Sequence, residues 1–115
     1  MQFSVSLKQN HIFRQLYRTP GAADSYMVLY ARRNREEKNR VGFTVSKKLG
    51  HAVVRNRTRR RLREVYRLNE SALKPGYDIV IVARSRAVEA PFSKLTASFL
   101  RLADKAGILT QEAPQ

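Results

Sequence analysis

Residues 55–63 read Arg55-Asn56-Arg57-Thr58-Arg59-Arg60-Arg61-Leu62-Arg63, and arginines continue as far as Arg67. On a helix with about 100° per residue, the apolar residues and several polar ones in this region fall on one stripe. That stripe consists of Val54, Thr58, Leu62, Val65, Tyr66, Asn69 and Leu73. The opposite stripe consists of Arg57, Arg60, Arg63 and Arg67. The spacing therefore predicts one long helix over residues 53–73, packed on one side and cationic on the other.

The cationic side of this helix favours a polyanionic partner. Like charges one turn apart repel each other by a few tenths of a kcal/mol per pair. A merely solvated helix face usually mixes the two signs, whereas Glu64 is the only acid between Arg55 and Arg67. The planar guanidinium group of arginine also binds phosphate oxygens with two parallel hydrogen bonds and stacks on bases. The ammonium group of lysine lacks this planar geometry. The pattern therefore indicates nucleic-acid binding, with a solvated face as the alternative.

The composition limits the class of protein. The chain has 115 residues, a length typical of one domain, and 43% of them are hydrophobic, which is enough for a modest core. Its formal net charge of +14 favours nucleic acid or an acidic membrane surface as the partner. The chain has no cysteine, which excludes disulfides and thiolate metal sites.

Membrane insertion and export are not expected. The N-terminus lacks an apolar segment of signal-peptide length. The longest apolar run, Ile79-Val80-Ile81-Val82-Ala83, is too short to span a bilayer. We therefore expect a soluble, cytoplasmic protein.

Four elements are predicted before the arginine-rich helix. Alternation over residues 1–8 suggests an extended lead-in, and a short helix follows, with Asn10 as its N-cap and Thr19-Pro20-Gly21 as its stop. Residues 25–33 and 40–46 are predicted strands. The short polar loop between these strands favours an antiparallel hairpin.

Two further elements follow the arginine-rich helix. Residues 77–84 are apolar on both faces and predict an interior strand, and Pro91 opens an amphipathic helix that Gly107 ends. Residues 108–115 are expected to be a flexible, frayed tail. The fold class is therefore α+β: a single small domain over residues 1–115 with one mainly antiparallel sheet, in the order α-β-β-(short β)-α-β-α.

No autonomous active site is evident. His11 and His51 do not have the spacing of metal ligands, and the pair Glu36-Glu37 lies in a loop between cations. The chain carries no glycine-rich phosphate loop and no nucleophile elbow. We predict no catalytic residue and no metal ligand in this chain.

Aromatic residues lie near the cationic segment. Stacking surfaces beside cations are what single-stranded RNA requires. The candidates are Phe13, Tyr17, Tyr26, Tyr30 and Phe43, with Lys47 and Lys48 nearby. Core packing is the alternative for each ring; we expect it for Phe43, Phe92 and Phe99, and leave both roles open for Tyr17 and Tyr30.

These residues resemble a known family. The run Val45-Ser46-Lys47-Lys48-Leu49-Gly50, followed by Arg55-Asn56-Arg57-Thr58-Arg59-Arg60 and Arg63, is similar to the signature of the bacterial ribonuclease P protein subunit. The similarity extends through Asn10-His11-Ile12-Phe13, Leu16-Tyr17, Val28-Leu29-Tyr30 and Tyr77-Asp78-Ile79-Val80-Ile81-Val82-Ala83-Arg84. Two departures are Arg59, where the family usually has lysine, and a less basic segment ahead of Asn10.

The resemblance implies a division of labour. An RNA subunit is the catalyst and holds Mg²⁺, and the protein, monomeric by itself, binds that RNA and the 5′ leader of precursor tRNA. The implied leader cleft consists of Phe13, Tyr17, Val28, Tyr30 and Ser46. The implied contacts to the catalytic RNA and the leader edge are Lys47, Lys48, Arg55, Asn56, Arg57, Arg59, Arg60, Arg63 and Arg67. The resemblance also implies a left-handed connection between the strands that flank the arginine-rich helix, against the general right-handed rule.

Three other functions remain open from the residues alone. A small ribosomal protein or other structural RNA-binding protein has a similar composition. A membrane-surface or DNA-packaging protein would not need the aromatic residues. A protein-only nuclease would need a carboxylate cluster for two metal ions, and the sequence suggests none.

Overall fold

The computed structural model describes residues 4–6 and 10–110, and side chains from residue 12 onward. The described residues form three α-helices and one five-stranded sheet. In chain order the elements are β1 (Ser4–Ser6), α1 (Asn10–Tyr17), β2 (Ala22–Ala23), β3 (Met27–Arg33), β4 (Asn39–Thr44), α2 (Ala52–Asn69), β5 (Tyr77–Ala83) and α3 (Phe92–Lys105). Short 3-10 turns occupy Lys47–Leu49, Glu70–Ala72 and Ser85–Ala87. The predicted helices and the three longer strands are therefore confirmed to within a few residues.

The strand β5 lies at the centre of the sheet, whose order is β1-β4-β5-β3-β2. Ile79 and Ile81 are buried under α2 and α3, and Val80 between them is buried under α1 on the other face. Because successive side chains of a strand point to opposite faces, an uninterrupted apolar run suits a strand that is covered on both sides. The predicted interior position of this strand is confirmed.

The predicted hairpin is wrong. The strand β3 pairs with β5 in antiparallel fashion and β4 pairs with β5 in parallel, so β5 separates β3 from β4. The intervening loop crosses the start of β5, where the Asn34 N–H donates to the Gly76 carbonyl at 2.9 Å and the Asn34 amide donates to Asp78 Oδ1 at 3.1 Å. The sheet is therefore mixed, with two parallel and two antiparallel pairings, and not mainly antiparallel.

The short strand expected between β4 and α2 is also absent, since Lys47–Leu49 forms a 3-10 turn. The Lys48 N–H donates to Ser46 Oγ at 3.1 Å, a local bond that competes with strand pairing. Short strands lie at the sheet edges instead, where β1 pairs with β4 and β2 with β3. The parallel strands β4 and β5 are joined through α2, and the left-handed sense of that connection stays a prediction.

The helices α2 and α3 cover one face of the sheet, which we call the helix-pair face. Thr58, Leu62, Val65 and Tyr66 are buried on α2, as the stripe predicts. The Tyr66 ring meets Phe43 and Phe99 edge-on, with centroids 6.1 and 5.9 Å apart. These two phenylalanines therefore belong to the core, as expected. Phe92 does not: as the first residue of α3 it has few neighbours and is 37% exposed.

The expected flexible tail is wrong for its first residues. Ile108 is fully buried, and its carbonyl accepts the Lys74 N–H at 2.7 Å. The Thr110 N–H donates to the Ala72 carbonyl at 2.9 Å. Burial of the isoleucine side chain and these backbone bonds hold the segment against the end of α2. Residues 111–115 and the rest of the N-terminal lead-in lie outside the described residues.

The carboxylate of Asp24 joins the start of β3 to α3. Its Oδ1 accepts the N–H groups of Tyr26 and Met27 at 2.8 and 3.1 Å. Its Oδ2 accepts from Ser98 Oγ and Arg101 Nη2, both at 2.6 Å. Burial raises the pKa of Asp24, but the hydrogen bonds outweigh it, first that from Ser98, and the pKa lies below its ordinary value of 3.8.

Asp24→Ala is expected to lower the free energy of unfolding by about 2–3 kcal/mol at neutral pH, because it removes hydrogen bonds to a charged acceptor. Since the folded pKa is lowered, this stabilisation is present above the unfolded pKa and is lost as the pH falls through the folded pKa. Urea unfolding at neutral and acidic pH measures the difference between the proteins. Asp104→Ala, an exposed carboxylate on α3, is the control. A loss that persists unchanged in acid would contradict this assignment.

Within the described part of the chain, no helix combines the length and apolarity needed to cross a membrane.

Candidate nucleic-acid interface

The helix α1 lies on the face of the sheet opposite α2 and α3. Ile12 and Leu16 are buried there against Val80. The Phe13 ring lies directly on Gly42 of β4, where a Cβ atom would come within 2.4 Å of the ring. The absence of a side chain at Gly42 therefore lets α1 approach the sheet closely.

Between α1 and the sheet, partly uncovered rings form what we call the aromatic surface. It is defined by Phe13, Tyr17, Val28, Tyr30, Thr44 and Val82. The Tyr17 and Tyr30 rings meet edge-on with centroids 5.3 Å apart, and the Phe13 and Tyr17 centroids are 6.4 Å apart. Tyr17 is 42% exposed, so part of its ring remains open to a ligand.

Two contacts fix the orientation of these rings. The Tyr17 hydroxyl lies 3.1 Å from Thr44 Oγ1 and shares a hydrogen bond with it. A Cβ atom at Gly21 would lie 2.8 Å from Tyr30 Cε1 and 3.0 Å from Val28 Cγ1, so the turn after α1 rests directly on both side chains. The rings are therefore held in place before any ligand arrives.

The structure places the predicted cleft residues as follows. Phe13, Tyr17, Val28 and Tyr30 come together on the aromatic surface. Ser46 lies exposed just beyond β4 and is not part of the aromatic surface. Its hydroxyl caps the 3-10 turn that carries Lys47 and Lys48. Both lysines are exposed. The two cations therefore follow the end of β4 that carries Thr44.

One flank of α2 faces β4 and carries three predicted arginines. Arg55 Nε donates to the Gly50 carbonyl at 3.2 Å. Arg59 Nη1 donates to Asn56 Oδ1 at 3.1 Å. The Arg63 guanidinium lies over the Phe43 ring, 5.9 Å from its centroid. None of these three contacts involves a carboxylate, so the positive charge of this flank is available to an external anion.

The remaining arginines of α2 differ in their surroundings. Arg60 is exposed on the outer side of the helix. Arg67 forms a salt bridge with Glu64 and lowers the pKa of that carboxyl, so its charge is matched within the protein. Arg61, which the sequence did not single out, donates to the carbonyls of Val88, at 3.2 Å, and Ala90.

Arg57 lies apart from Arg59 and Arg63. It borders the segment 88–90 together with Arg61, on the flank of α2 that faces away from β4. The sequence prediction placed Arg57 with the other RNA-binding residues because helical spacing alone does not show which neighbour each flank meets. The cationic surface of α2 therefore has two flanks.

One buried carboxylate, that of Asp78, is paired with an arginine outside α2. Asp78 is fully buried, and its two oxygens accept from Arg40 Nε and Nη2 at 2.6 and 2.8 Å. The hydrogen bonds that Arg40 donates to Asp78 raise the pKa of Arg40. This acid is therefore neutralised on β4 and β5, away from α2.

The family model for Ribonuclease P matches residues 1–107. The chain belongs to the ribonuclease P protein family. It is accordingly an RNA-binding protein of tRNA processing that acts within a ribonucleoprotein, and the reading as a ribosomal protein is not favoured.

Relatives of the ribonuclease P family agree over most of their length. A ribonuclease P protein component from Natranaerobius thermophilus is 45% identical over 106 residues, which are 91% of this chain and 92% of the relative. One from Clostridioides difficile is 41% identical over 104 residues, 89% of this chain and 91% of the relative.

Solved structures of ribonuclease P proteins have the same fold. The Staphylococcus aureus RNase P protein is matched with a TM-score of 0.81 and 29% identity, over 91% of this chain and 97% of that one. The Thermotoga maritima RNase P protein is matched with a TM-score of 0.78 and 26% identity, over 87% of this chain and 96% of that one.

Sequence reasoning missed three features of this ribonuclease P interface. Thr44 orients Tyr17, Gly42 admits Phe13, and Gly21 contacts Tyr30. The alternation in β4 places Gly42 and Thr44 on the same face, which was a usable signal. Nothing in the sequence indicated which helix would cover that face.

Proposed function

We propose that this chain is the protein subunit of a ribonuclease P holoenzyme in which an RNA subunit, with Mg²⁺, cleaves precursor tRNA. The protein binds that RNA and the 5′ leader, and assists removal of the leader. The observation that carries the proposal is that a chain of this family presents a partly open aromatic surface and a flank of α2 whose arginines are not matched by carboxylates.

The leader is proposed to lie on the aromatic surface. Leaders differ in sequence between tRNAs, so a suitable site should stack bases and bind phosphates, and should not read base edges. Tyr17 and Tyr30 offer rings whose orientation is fixed by their contacts. Lys47 and Lys48, at the adjoining end of β4, are placed to neutralise the phosphates of the same strand.

The outer and β4-facing sides of α2 are proposed to bind the catalytic RNA. Arg60 is exposed, and Arg55, Arg59 and Arg63 carry guanidinium groups whose present contacts are uncharged. A large RNA that folds against a substrate accumulates phosphate repulsion, and a protein of net charge +14 relieves part of it. The protein should therefore lower the Mg²⁺ concentration that cleavage requires.

Magnesium is proposed to be held by the RNA subunit. Among the residues that the structure describes, there is no group of three or more His, Asp or Glu that could hold a metal ion. We further propose that the protein works in the cytoplasm and is monomeric before it assembles with RNA.

The direct test is reconstitution. The purified chain is mixed with a bacterial ribonuclease P RNA and a precursor tRNA, and release of the 5′ leader is measured at limiting Mg²⁺. We expect the protein to restore cleavage that the RNA alone performs poorly. Cleavage by the protein without RNA would instead support a protein-only nuclease, and no effect on the RNA would refute the proposal.

Tyr30→Ala tests the leader assignment. Loss of one stacking surface should weaken the binding of leader-bearing precursor tRNA by roughly 5- to 100-fold and leave mature tRNA nearly unaffected. Affinities of the holoenzyme for both RNAs measure this. Tyr77→Ala, which removes a half-buried ring at the other end of the sheet, is the matched control. Equal losses for precursor and mature tRNA would place Tyr30 outside the leader site.

A further inference from the structure

The molecule also has a groove lined by cations on the side of the helix-pair face. It is a groove of about 600 Å³ between the 3-10 turn Lys47–Leu49, the residue before β3 and the segment 85–91. Its volume is within the range of small-ligand sites. Lys48 and Arg86 line it together with Tyr26, and Glu89 is the acid in its wall. We call it the Arg86 groove.

The Arg86 groove is separate from the aromatic surface. Tyr26 and Leu49 pack against the core that α2 and α3 cover. Phe13 and Tyr30 pack against the cluster under α1, on the other face of the sheet. A ligand in the groove would therefore make contacts that the proposed leader site does not provide.

The groove contains a cation–π contact between Arg86 and Tyr26. The Arg86 guanidinium lies over Tyr26, 5.7 Å from the ring centroid. Tyr26 is half-buried against the core, whereas Arg86 is exposed, so the outer face of the guanidinium is open. Unpaired bases stack on such guanidinium planes. The contact with Tyr26 thus keeps the Arg86 guanidinium beside the groove.

Cations continue along the groove. Lys48 is exposed at one wall, and Arg57 and Arg61 border the segment 88–90 beyond it. The bonds from Arg61 to the carbonyls of Val88 and Ala90 fix that segment against α2. The backbone of the groove is therefore anchored at this segment, and exposed cations lie on both sides of it.

We propose that the Arg86 groove binds a nucleotide of single-stranded RNA, with the base stacked on Arg86 and a phosphate at Lys48. Glu89 opposes the phosphate charge and weakens this binding. The site goes beyond the proposed leader site, shares only Lys48 with it, and does not depend on the assignment of Tyr30. RNA is favoured over an anionic membrane because the exposed Arg86 guanidinium beside the Tyr26 ring offers a surface on which an unpaired base can stack.

The test uses the full chain and a fluorescent oligouridylate of about eight nucleotides, within the site sizes of single-strand binding proteins. Fluorescence anisotropy at one fixed salt concentration gives the affinity. Arg86→Ala should weaken binding about tenfold, the effect of losing one stacked base. Lys105→Ala removes the same charge at the far end of α3 and should have a much smaller effect. Arg86→Lys should bind almost as weakly as Arg86→Ala, because an ammonium group does not stack.

A carboxylate variant tests the sign of the charge effect. Glu89→Gln should tighten binding severalfold, whereas Glu36→Gln, an exposed carboxylate in the loop between β3 and β4, should not. Equal effects of Arg86→Ala and Lys105→Ala, or of the two glutamate variants, would overturn the proposal. The proposal would also be overturned if Arg86→Ala weakened binding to phosphatidylglycerol vesicles as much as it weakened binding to the oligouridylate.

Tyr30→Ala separates this site from the leader site. Additive losses in the Tyr30→Ala, Arg86→Ala double variant would support two independent contacts. If Arg86→Ala weakens binding and Tyr30→Ala does not, the groove stands and the leader assignment fails. The reverse result would overturn the groove alone.

Discussion

Leu62→Ala is expected to lower the free energy of unfolding by about 2–5 kcal/mol. Leu62 lies in the middle of the buried stripe of α2 and is only 1% exposed. Its removal costs the burial of the missing methyl and methylene groups and leaves a cavity that a close-packed core does not fill completely. Alanine is a slightly better helix former than leucine, but that gain is a fraction of a kcal/mol and does not offset the loss.

Leu68→Ala is the matched control for this prediction. It deletes the same atoms from the same helix, but Leu68 is 55% exposed. Its effect should stay within about 0.5 kcal/mol. Urea unfolding curves of the two variants and the parent protein measure both changes. Similar shifts for Leu62→Ala and Leu68→Ala would mean that α2 does not pack as the structure shows.

The helix α2 could be predicted from sequence because its evidence is local. A 3.6-residue period over four turns distinguishes Leu62 from Arg60 without knowledge of any other segment. The pairing of the strands could not be predicted in the same way. A short loop favours a hairpin between β3 and β4, but insertion of β5 buries Val80 on one face and Ile81 on the other. That gain depends on residues more than thirty positions downstream, which a local rule for hairpins does not consider.

The candidate site was predictable in its residue types and less so in its arrangement. The resemblance brought Phe13, Tyr17, Val28 and Tyr30 together, and the structure places them side by side. The resemblance did not distinguish the two flanks of α2. That distinction depends on the position of the segment 88–90, whose backbone carbonyls accept hydrogen bonds from Arg61. The prediction of a flexible tail was wrong for the segment 108–110. It rested on the general tendency of chain termini to fray, whereas Ile108 is buried by residues that are distant in sequence.

The helix α2 therefore carries its buried stripe and its exposed arginines, for which we propose RNA binding, on separate sides. Thr58, Leu62 and Val65 face the core. Arg60 and Arg63 are exposed to solvent. Substitutions on the two sides should consequently act on different measurements. This separation makes the arginines testable, because their removal should not unfold the protein.

The Arg60→Ala, Arg63→Ala double variant is expected to weaken binding to the catalytic RNA by roughly 10- to 100-fold per arginine, the range for hydrogen bonds to charged groups. Each lost phosphate contact should also lower the slope of log affinity against log salt by about 1. Stability should fall by no more than about 1 kcal/mol, the value of the exposed contact between Arg63 and the Phe43 ring. Filter binding over a salt series and urea unfolding measure these three quantities.

Lys105→Ala distinguishes specific contacts from net charge in this experiment. It removes one exposed cation from the end of α3, away from the outer side of α2. If the +14 charge acted only through its long-range field, each arginine variant would lose about as much affinity as Lys105→Ala, and the loss would vanish at high salt. If Arg60 and Arg63 contact phosphates directly, their loss exceeds that of Lys105→Ala at every salt concentration. The second result is expected, because both guanidinium groups are exposed on a helix whose rigid packing through Leu62 fixes their spacing.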